Sequence, residues 1–307
     1  MTRVGVDGGA STIRLQVAGD PAPVKVKGVG RLESDVALLV IERVVEAWDK
    51  ARGTATTIDR MVLGLTTLPA TQAGREDFVR LLAERLPVNE VWLAGDALTA
   101  HAGAFPDGEG ISLTVGTGVA CMGVNDAGEA IRVDGDGFLL GDGGGAFWMG
   151  ARGVSAVLRE RDGRGGPTAL AAACDARFGV HGDLAAHLHS LPRAVHSIAE
   201  FALDVQAAAV AGDSTAIGIV DAAAAELTDT AVAAAAKWHS GVAPVALSGR
   251  VVGEGTALRA ALVPRLRDAG LEVREAAGGP LDGCLRLACA EDAGPYDHMI
   301  TYWRRTA

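Results

Sequence analysis

The sequence predicts an α/β fold of two lobes, and three observations support this prediction. Strand-like apolar segments alternate with segments of helical spacing along most of the 307 residues. A β-meander pattern with glycine in its turns starts at residue 3 and starts again at residue 111. A chain of this length can also form two compact units of about 150 residues each.

The first half opens with a predicted hairpin. RVGVD (3–7) and TIRLQVA (12–18) flank a glycine-rich turn, and VKVKGVG (24–30) supplies a third strand. MVLGLTTL (61–68) and EVWLAGD (90–96) are strands of the buried type, and segments of helical spacing precede both. We predict that the first lobe covers residues 1–105.

The second half repeats the opening of the first. ISLTVGTG (111–118) begins a second meander, which continues to residue 135. The chain from 146 to 239 is predicted to be mostly helical, with one continuous helix over 192–213, and APVALSG (243–249) follows as a buried strand. We predict a second lobe over 106–289 and a C-terminal helix, at about 290–307, that joins the first lobe.

Composition excludes several classes of protein. The net charge is −10 and no basic stripe occurs, which argues against a nucleic-acid partner. No apolar run approaches the roughly 18 residues of a membrane span, and the N-terminus starts directly with a strand, so we expect neither membrane association nor a signal peptide. Four scattered cysteines without a C-x-x-C motif favour a reduced, cytoplasmic protein.

The first motif with chemical potential is DGGAST (7–12). Its glycines would let backbone N–H groups approach an anion, and the hydroxyls of Ser11 and Thr12 would add donors. Asp7, at the strand end, could hold Mg²⁺ through a water molecule. An ordinary hairpin turn explains the same residues, so this motif alone leaves both interpretations open.

Two further glycine turns follow predicted strands. Gly116, Thr117 and Gly118 could form a second anion cradle, or a simple tight turn. In ALSGRVVGEG (246–255), Gly249 would let a flat base lie against the backbone, although an ordinary strand-to-helix turn is equally consistent. Asp96, at a strand's carboxyl end, is either a candidate base or the N-cap of the next helix.

Taken together, these motifs carry a resemblance. DGGAST, AGDALTAHAGAF, GTG, GDGFLLGD and the SG…GEG turn occur in the order found in the superfamily of sugar kinases, heat-shock chaperones and actin. Within it, the chain resembles the BadF/BadG/BcrA/BcrD-type ATPases, a group that includes N-acetylglucosamine and glucosamine kinases. The resemblance implies two ribonuclease-H-like, actin-like ATPase lobes, with a nucleotide and substrate cleft between them.

The resemblance also implies a role for each matched residue. The function would be ATP-dependent transfer of the γ-phosphoryl group to a hydroxyl of a hexosamine, with Asp96 as general base, with ATP and Mg²⁺ as cofactors, and with a homodimer as the assembly. The matched positions are the metal-binding Asp7, the phosphate-binding Gly8, Gly9, Ala10, Ser11, Thr12, Gly116, Thr117 and Gly118, the adenosine-binding Ser248, Gly249 and Gly253, and the sugar-binding Asp96, Gly135, Asp136 and Asp142.

The chain departs from the family pattern in the sugar-facing segment. Gly135-Asp136-Gly137 stands where the kinases typically have Gly-Trp-Gly, and Gly141 to Gly145 stands in place of Gly-Asp-Glu-Gly-Ser. Val119 replaces a frequent serine. If Asp136 faces the sugar, its carboxylate would favour an ammonium group over a neutral acetamide, and hence glucosamine-like substrates.

Two alternative functions remain open from the sequence. The activators that give the group its name share an iron–sulfur cluster through motif cysteines, and these cysteines do not appear here. The departures at Asp136, Gly143, Gly145 and Val119 also leave open a non-catalytic relative that senses a sugar or a nucleotide.

Overall fold

The computed structural model describes residues 1–9, 12–30, 35–239 and 241–306. The chain divides into two compact units. Unit 1 consists of Met1–Gly110, Gly128–Ala130 and Ala276–Ala307, and unit 2 consists of Ile111–Ala127 and Ile131–Glu275. Each unit combines a β-sheet with packed helices, which confirms the predicted α/β class.

The described strands, in chain order, are β1 (Arg3–Gly8), β2 (Thr12–Val17), β3 (Val24–Lys27), β4 (Arg60–Leu65), β5 (Glu90–Gly95), β6 (Gly110–Val115), β7 (Val119–Val124), β8 (Ala130–Val133), β9 (Pro244–Ser248), β10 (Glu272–Arg274) and β11 (Thr301–Arg304).

The described α-helices are α1 (Val36–Ala51), α2 (Gln72–Arg85), α3 (Asp96–Ala104), α4 (Ala146–Arg161), α5 (Leu170–Phe178), α6 (Leu184–Ser190), α7 (Ala194–Glu200), α8 (Ala202–Val210), α9 (Ser214–Ala235), α10 (Ala257–Asp268) and α11 (Pro280–Cys289). Short 3-10 helices cover Arg250–Val252 and Gly294–Met299.

The sheet of unit 1 brings three strand ends to one edge. Its order is β11-β5-β4-β1-β2-β3, and β1, β4 and β5 run parallel. Gly8 pairs with Leu65, and Leu65 pairs with Gly95, so these strands end at the same level. Parallel strands present their carboxyl ends on one side of a sheet, where ligands of α/β proteins usually bind. The residues that follow these three strands therefore lie close together.

The sheet of unit 2 has the same property. Its order is β10-β9-β6-β7-β8, with β6, β9 and β10 parallel to one another. Thr114 near the end of β6 pairs with Ser248 at the end of β9. The GTG turn and the SG turn, which follow these strands, are therefore neighbours at one edge.

Two predictions about helices are wrong. The C-terminal residues predicted to form a helix contain β11, which pairs antiparallel with the exposed edge of β5, with Thr301 opposite Leu93. The side chain of Thr301 is buried and that of Tyr302 is exposed, and this alternation is typical of a strand.

The continuous helix predicted over 192–213 is two helices, α7 and α8, separated at Phe201. The Phe201 N–H group bonds to the carbonyl of Ile198, only three residues earlier, which tightens the chain into a 3-10-type turn. Its ring is completely buried beside Gly153 of α4. Packing of this ring fixes a break that helical periodicity alone does not reveal.

Helix α3 is held in place by α11 and by a buried histidine. A Cβ atom at Gly283 of α11 would lie 1.9 Å from the carbonyl oxygen of Thr99, so the two helices touch through a glycine. His101 is fully buried, with Nε2 2.8 Å from the Gly110 carbonyl and Nδ1 2.6 Å from the Tyr296 hydroxyl. Because a carbonyl only accepts, Nε2 carries the proton and Nδ1 accepts from Tyr296.

Acidification is expected to destabilise unit 1 through His101. Burial lowers the pKa of His101 to about 4, against about 6.5 in an unfolded chain. The unfolded chain therefore binds the proton first, and stability is lost as the pH falls from 6.5 to 4, by about 3 kcal/mol at pH 4 for this group. Denaturant unfolding of wild type and His101→Gln across this range checks the result, and equal pH slopes for the two proteins would contradict it.

Candidate active site

Asp96 lies at the carboxyl edge of the unit 1 sheet. It is the first residue of α3, and Gly95 occupies the N-cap position. Its Oδ2 atom accepts a 2.7 Å hydrogen bond from the hydroxyl of Thr66, the residue after β4. The half-buried carboxylate is thus oriented by a neighbouring strand end. Sequence reasoning missed Thr66, although its place after a buried strand was visible.

Asp7 lies close to Asp96 and is paired with Arg14. Its Oδ2 atom accepts hydrogen bonds from Nε (2.8 Å) and Nη2 (2.5 Å) of Arg14. Burial raises the pKa of Asp7, Arg14 opposes this rise, and the negative charge of Asp96 adds to it. The two carboxylates therefore influence each other across the edge of the sheet.

Asp7 has a donor set that fits an assisting magnesium ion. Within the described ranges, no group of three or more His, Cys, Asp or Glu side chains could hold a metal ion. Mg²⁺ needs no such cage, since it is usually bound by one or two carboxylates, water and substrate phosphates. Arg14 takes the Oδ2 atom of Asp7, which leaves the Oδ1 atom as the oxygen to face such an ion.

The first glycine turn is partly described. The Gly9 N–H group donates to the Thr12 carbonyl (3.0 Å), which closes the hairpin, and the Gly8 carbonyl accepts from the Thr66 N–H group (3.0 Å). Ala10 and Ser11, both predicted to bind phosphate, lie outside the described residues. The described part of the turn is therefore tied to the same Thr66 that contacts Asp96.

The second glycine turn, Gly116–Gly118, supports the start of α4. Its Gly116 and Thr117 carbonyls accept from the Ala146 and Phe147 N–H groups at 3.0 and 2.9 Å. The first amides of α4 are thereby used within the protein, and the exposed tip of the turn is Thr117. Any anion bound here would meet the tip of the turn rather than these two amides of the helix.

Asp142 lies against this second turn. Its carboxylate is so close to Gly118 that a Cβ atom there would lie 2.1 Å from Asp142 Oδ2, so any side chain at 118 would displace this carboxylate. The side chain is buried, and the backbone has a left-handed φ of 60°. The structure thus brings together a predicted phosphate-binding turn and a predicted sugar-binding carboxylate in unit 2.

Asp134, which was not among the predicted site residues, organises the loop from 134 to 142. Its Oδ1 atom accepts from the N–H groups of Gly135 (2.7 Å) and Asp142 (2.9 Å). The Gly135 carbonyl accepts from Nη2 of Arg132 (2.9 Å), whereas Asp136 is exposed. An Asp-Gly pair directly after a strand was the signal for this Asx-type turn.

Helix α9 explains the glycines at 143 and 144. A Cβ atom at Gly143 would lie 2.7 Å from Oε2 of Glu226, and one at Gly144 would lie 2.6 Å from the Ala223 carbonyl oxygen. A glutamate at 143, which is typical of the family, would meet the carboxylate of Glu226. Glycine at 143 is therefore compatible with the close packing of this helix on the loop.

The predicted adenosine motif forms a tight turn after β9. Ser248 Oγ lies 2.9 Å from Thr114 Oγ1, and Gly249 has a φ of 117°. The buried side chain of Gln206, on α8, donates to the Val251 carbonyl (3.1 Å) and accepts from the Leu258 N–H group (2.9 Å). Gln206 thus fixes the turn to the start of α10. A polar residue within an apolar helix was the only sequence signal for it.

The four cysteines are free thiols that differ in their exposure to solvent. Cys121, Cys174 and Cys284 are buried, and Cys289 is exposed. Burial raises the pKa of Cys121 and of Cys284 to about 12 each, which keeps both thiols protonated at neutral pH. The Cys284 Sγ atom lies 3.1 Å from the Val6 carbonyl oxygen.

Among the described helices, none is by itself both long and apolar enough to cross a membrane, and one bent pair, Ala194–Val210 with Ser214–Ala235, passes by length and composition only.

Comparison with known proteins identifies similar proteins over most of the chain. N-acetylmuramic acid/N-acetylglucosamine kinase of Clostridium acetobutylicum is 26% identical over 235 residues, which are 73% of this chain and 76% of that protein. A structure provisionally named N-acetylglucosamine kinase, from Chromobacterium violaceum, has a TM-score of 0.74 at 24% identity and covers 93% of this chain and 98% of its own.

A third similar structure is a ROK family glucokinase from Streptomyces griseus, in complex with glucose and AMPPNP. Its TM-score is 0.54 at 16% identity, over 94% of this chain and 98% of that chain. These similarities confirm the predicted fold class. The model of the BadF/BadG/BcrA/BcrD ATPase family matches residues 4–275. This chain therefore belongs to the BadF/BadG/BcrA/BcrD ATPase family, as its motifs predict.

Proposed function

We propose that this protein is an ATP-dependent sugar kinase that phosphorylates a hydroxyl of an amino sugar, with Asp96 as general base. The observation that carries the proposal is the position of the Asp96 carboxylate at the sheet edge, bonded to Thr66 beside the first glycine turn. The proposal gains support from family membership and from the kinase activity named for the Clostridium acetobutylicum relative.

Each unit has a distinct task in this proposal. In unit 1, Asp96 accepts the proton of the sugar hydroxyl while the oxygen of that hydroxyl attacks the γ-phosphorus atom of ATP. The new bond joins that oxygen to phosphorus, the bond from phosphorus to the β–γ bridging oxygen breaks, and ADP leaves. In unit 2, the turns around Gly116–Gly118 and Ser248–Gly253 bind the nucleotide, and Asp142 accepts hydrogen bonds from sugar hydroxyls.

Magnesium would assist this chemistry at Asp7. When bound, the ion would neutralise charge on the phosphate oxygens. The residue of this chain that would hold it is Asp7, whose Oδ1 atom would bind the ion directly or through a water molecule. Arg14, fixed on Oδ2, would keep the carboxylate in one orientation.

The homodimeric assembly remains a prediction from the family resemblance, and the cytoplasmic location remains a prediction from the cysteine pattern.

The substrate is proposed to be a hexosamine. The loop from 134 to 142, which contains Asp134, Asp136 and Asp142, suggests which hexosamine is preferred. If Asp136, which is exposed on that loop, faces the bound sugar, its carboxylate would favour an ammonium group over an acetamide. Glucosamine-like sugars are therefore the first candidates. N-acetylglucosamine and its 3-O-lactyl derivative follow, since the named relative acts on that class.

A substrate panel tests the proposed function. ADP release is measured with ATP, Mg²⁺ and each of glucose, glucosamine, N-acetylglucosamine, N-acetylmuramic acid and N-acetylmannosamine, and the phosphorylated product is identified by mass spectrometry. We expect turnover with at least one amino sugar, and a lower preference for glucosamine over N-acetylglucosamine in Asp136→Asn. ATP hydrolysis that no sugar stimulates would contradict the kinase proposal, and an unchanged preference would contradict the role of Asp136.

A further inference from the structure

Thr66 contacts both the proposed base and the first glycine turn. Its hydroxyl oxygen lies 2.7 Å from Asp96 Oδ2 and 3.3 Å from the Gly8 carbonyl oxygen, and its N–H group donates to the same carbonyl at 3.0 Å. A Cβ atom at Gly9 would lie 3.7 Å from the hydroxyl. One short polar side chain therefore lies beside the base and the turn at once.

The distances decide where the hydroxyl hydrogen goes. A hydroxyl has a single hydrogen, and the carboxylate oxygen is both nearer and charged, so the stronger bond is made to Asp96. This bond occupies Oδ2 and restricts rotation of the carboxylate. Oδ1 is then the oxygen of Asp96 that is oriented to receive a proton.

The charge of Asp7 makes this restraint necessary. The Asp7 and Asp96 carboxylates are close enough to interact, and like charges repel one another. The guanidinium group of Arg14 pairs with Asp7, and the hydroxyl of Thr66 donates a hydrogen bond to Asp96. Loss of the Thr66 hydroxyl would leave Asp96 free to rotate away from its neighbour.

We propose that Thr66 is a positioning residue that keeps the Asp96 carboxylate in a fixed orientation beside the first glycine turn. This inference rests on the proposed function and assigns a role to a residue outside the predicted motifs. A misplacement of about 1 Å in a reacting group can cost roughly 100-fold in rate. Removal of the hydroxyl should therefore lower kcat far more than it changes KM.

The kinetic test compares three variants with wild type. Thr66→Val keeps the shape and removes the donor, Thr66→Ser keeps the donor, and Thr67→Val is the matched control at the adjacent threonine. We expect kcat to fall about 10- to 100-fold in Thr66→Val, while the KM values for ATP and for the sugar stay within about threefold of wild type. In the other two variants, kcat should stay near the wild-type value. Equal kcat values for Thr66→Val and wild type, or equal losses in Thr66→Val and Thr66→Ser, would overturn the proposal.

Two further measurements separate positioning from folding and from the proposed function itself. In the Asp96→Asn background, Thr66→Val should add little further loss, and a full additional loss would count against the proposal. Crystal structures do not depend on turnover: the Asp96 carboxylate should move in Thr66→Val and keep its position in Thr66→Ser. An unmoved carboxylate in Thr66→Val would refute the positioning role even if wild type phosphorylated no sugar in the panel.

Discussion

Replacement of Asp96 by asparagine is expected to lower kcat about 100- to 10,000-fold, because the amide cannot accept the proton of the sugar hydroxyl. Asparagine has the same shape, and its carbonyl oxygen can still accept the hydrogen bond from Thr66. The fold and the proposed nucleotide-binding turns of unit 2 should therefore be unaffected. Steady-state ADP release measures the loss, and calorimetric titration with a non-hydrolysable ATP analogue measures nucleotide binding.

Asp107→Asn is the matched control for this substitution. Asp107 is an exposed carboxylate just beyond the other end of α3, and the proposed chemistry does not use it. We expect this control to keep the wild-type kcat. If Asp96→Asn kept more than about a tenth of wild-type kcat with the best sugar, another group would have to act as the base.

Gly249→Ala is expected to destabilise unit 2 by about 2–5 kcal/mol, through backbone strain and overpacking together. The φ of Gly249 is 117°, which L side chains rarely adopt. A Cβ atom there would lie 2.0 Å from the Val115 carbonyl oxygen, which belongs to the rigid strand β6. The new methyl group can be accommodated only if β6 or the turn moves, and the proposed nucleotide site would move with it.

The other glycine of the same motif provides the control. Gly253 has a φ of −64°, and its nearest neighbour would lie 3.6 Å from a new Cβ atom. Gly253→Ala should therefore change the free energy of unfolding by less than about 1 kcal/mol. Urea unfolding of the three proteins gives the comparison, with KM for ATP as a second readout. Similar losses in both variants would show that the contact with Val115 is not the cause.

The sequence was sufficient for the class of fold and for most of the motifs, because both depend on local patterns. Glycine turns after strands were predicted at 8–12, 116–118 and 248–253, and turns lie there where the chain is described. Periodicity could not show that residues 301–304 would form a strand, because they do so by pairing with β5, which is distant in the sequence. The break at Phe201 likewise depends on packing against α4.

The supporting residues of the candidate site were the hardest to predict. The predicted motifs do not include Thr66, Asp134 or Gln206. Each of these residues acts through hydrogen bonds to residues that are 8 to 45 positions away in the sequence. A threonine after a strand or a glutamine in a helix is common in any protein. The register of the unit 1 sheet, which places the ends of β4 and β5 side by side, gives Thr66 its partner. The partners of Gln206 depend on how α8 packs on the turn after β9.

The assembly of unit 1 from both ends of the sequence affects the nascent chain. Strand β11 pairs with β5, and α11 packs on α3, so these partners are separated by most of the chain. During translation, residues 111–275 leave the ribosome before α11 and β11 do. Unit 2 can therefore begin to fold while the edge of β5 is still unpaired, because β11 is not yet available. An unpaired edge strand is a template for pairing with other chains. We therefore expect the β5 edge to be open to pairing with other chains until β11 has emerged.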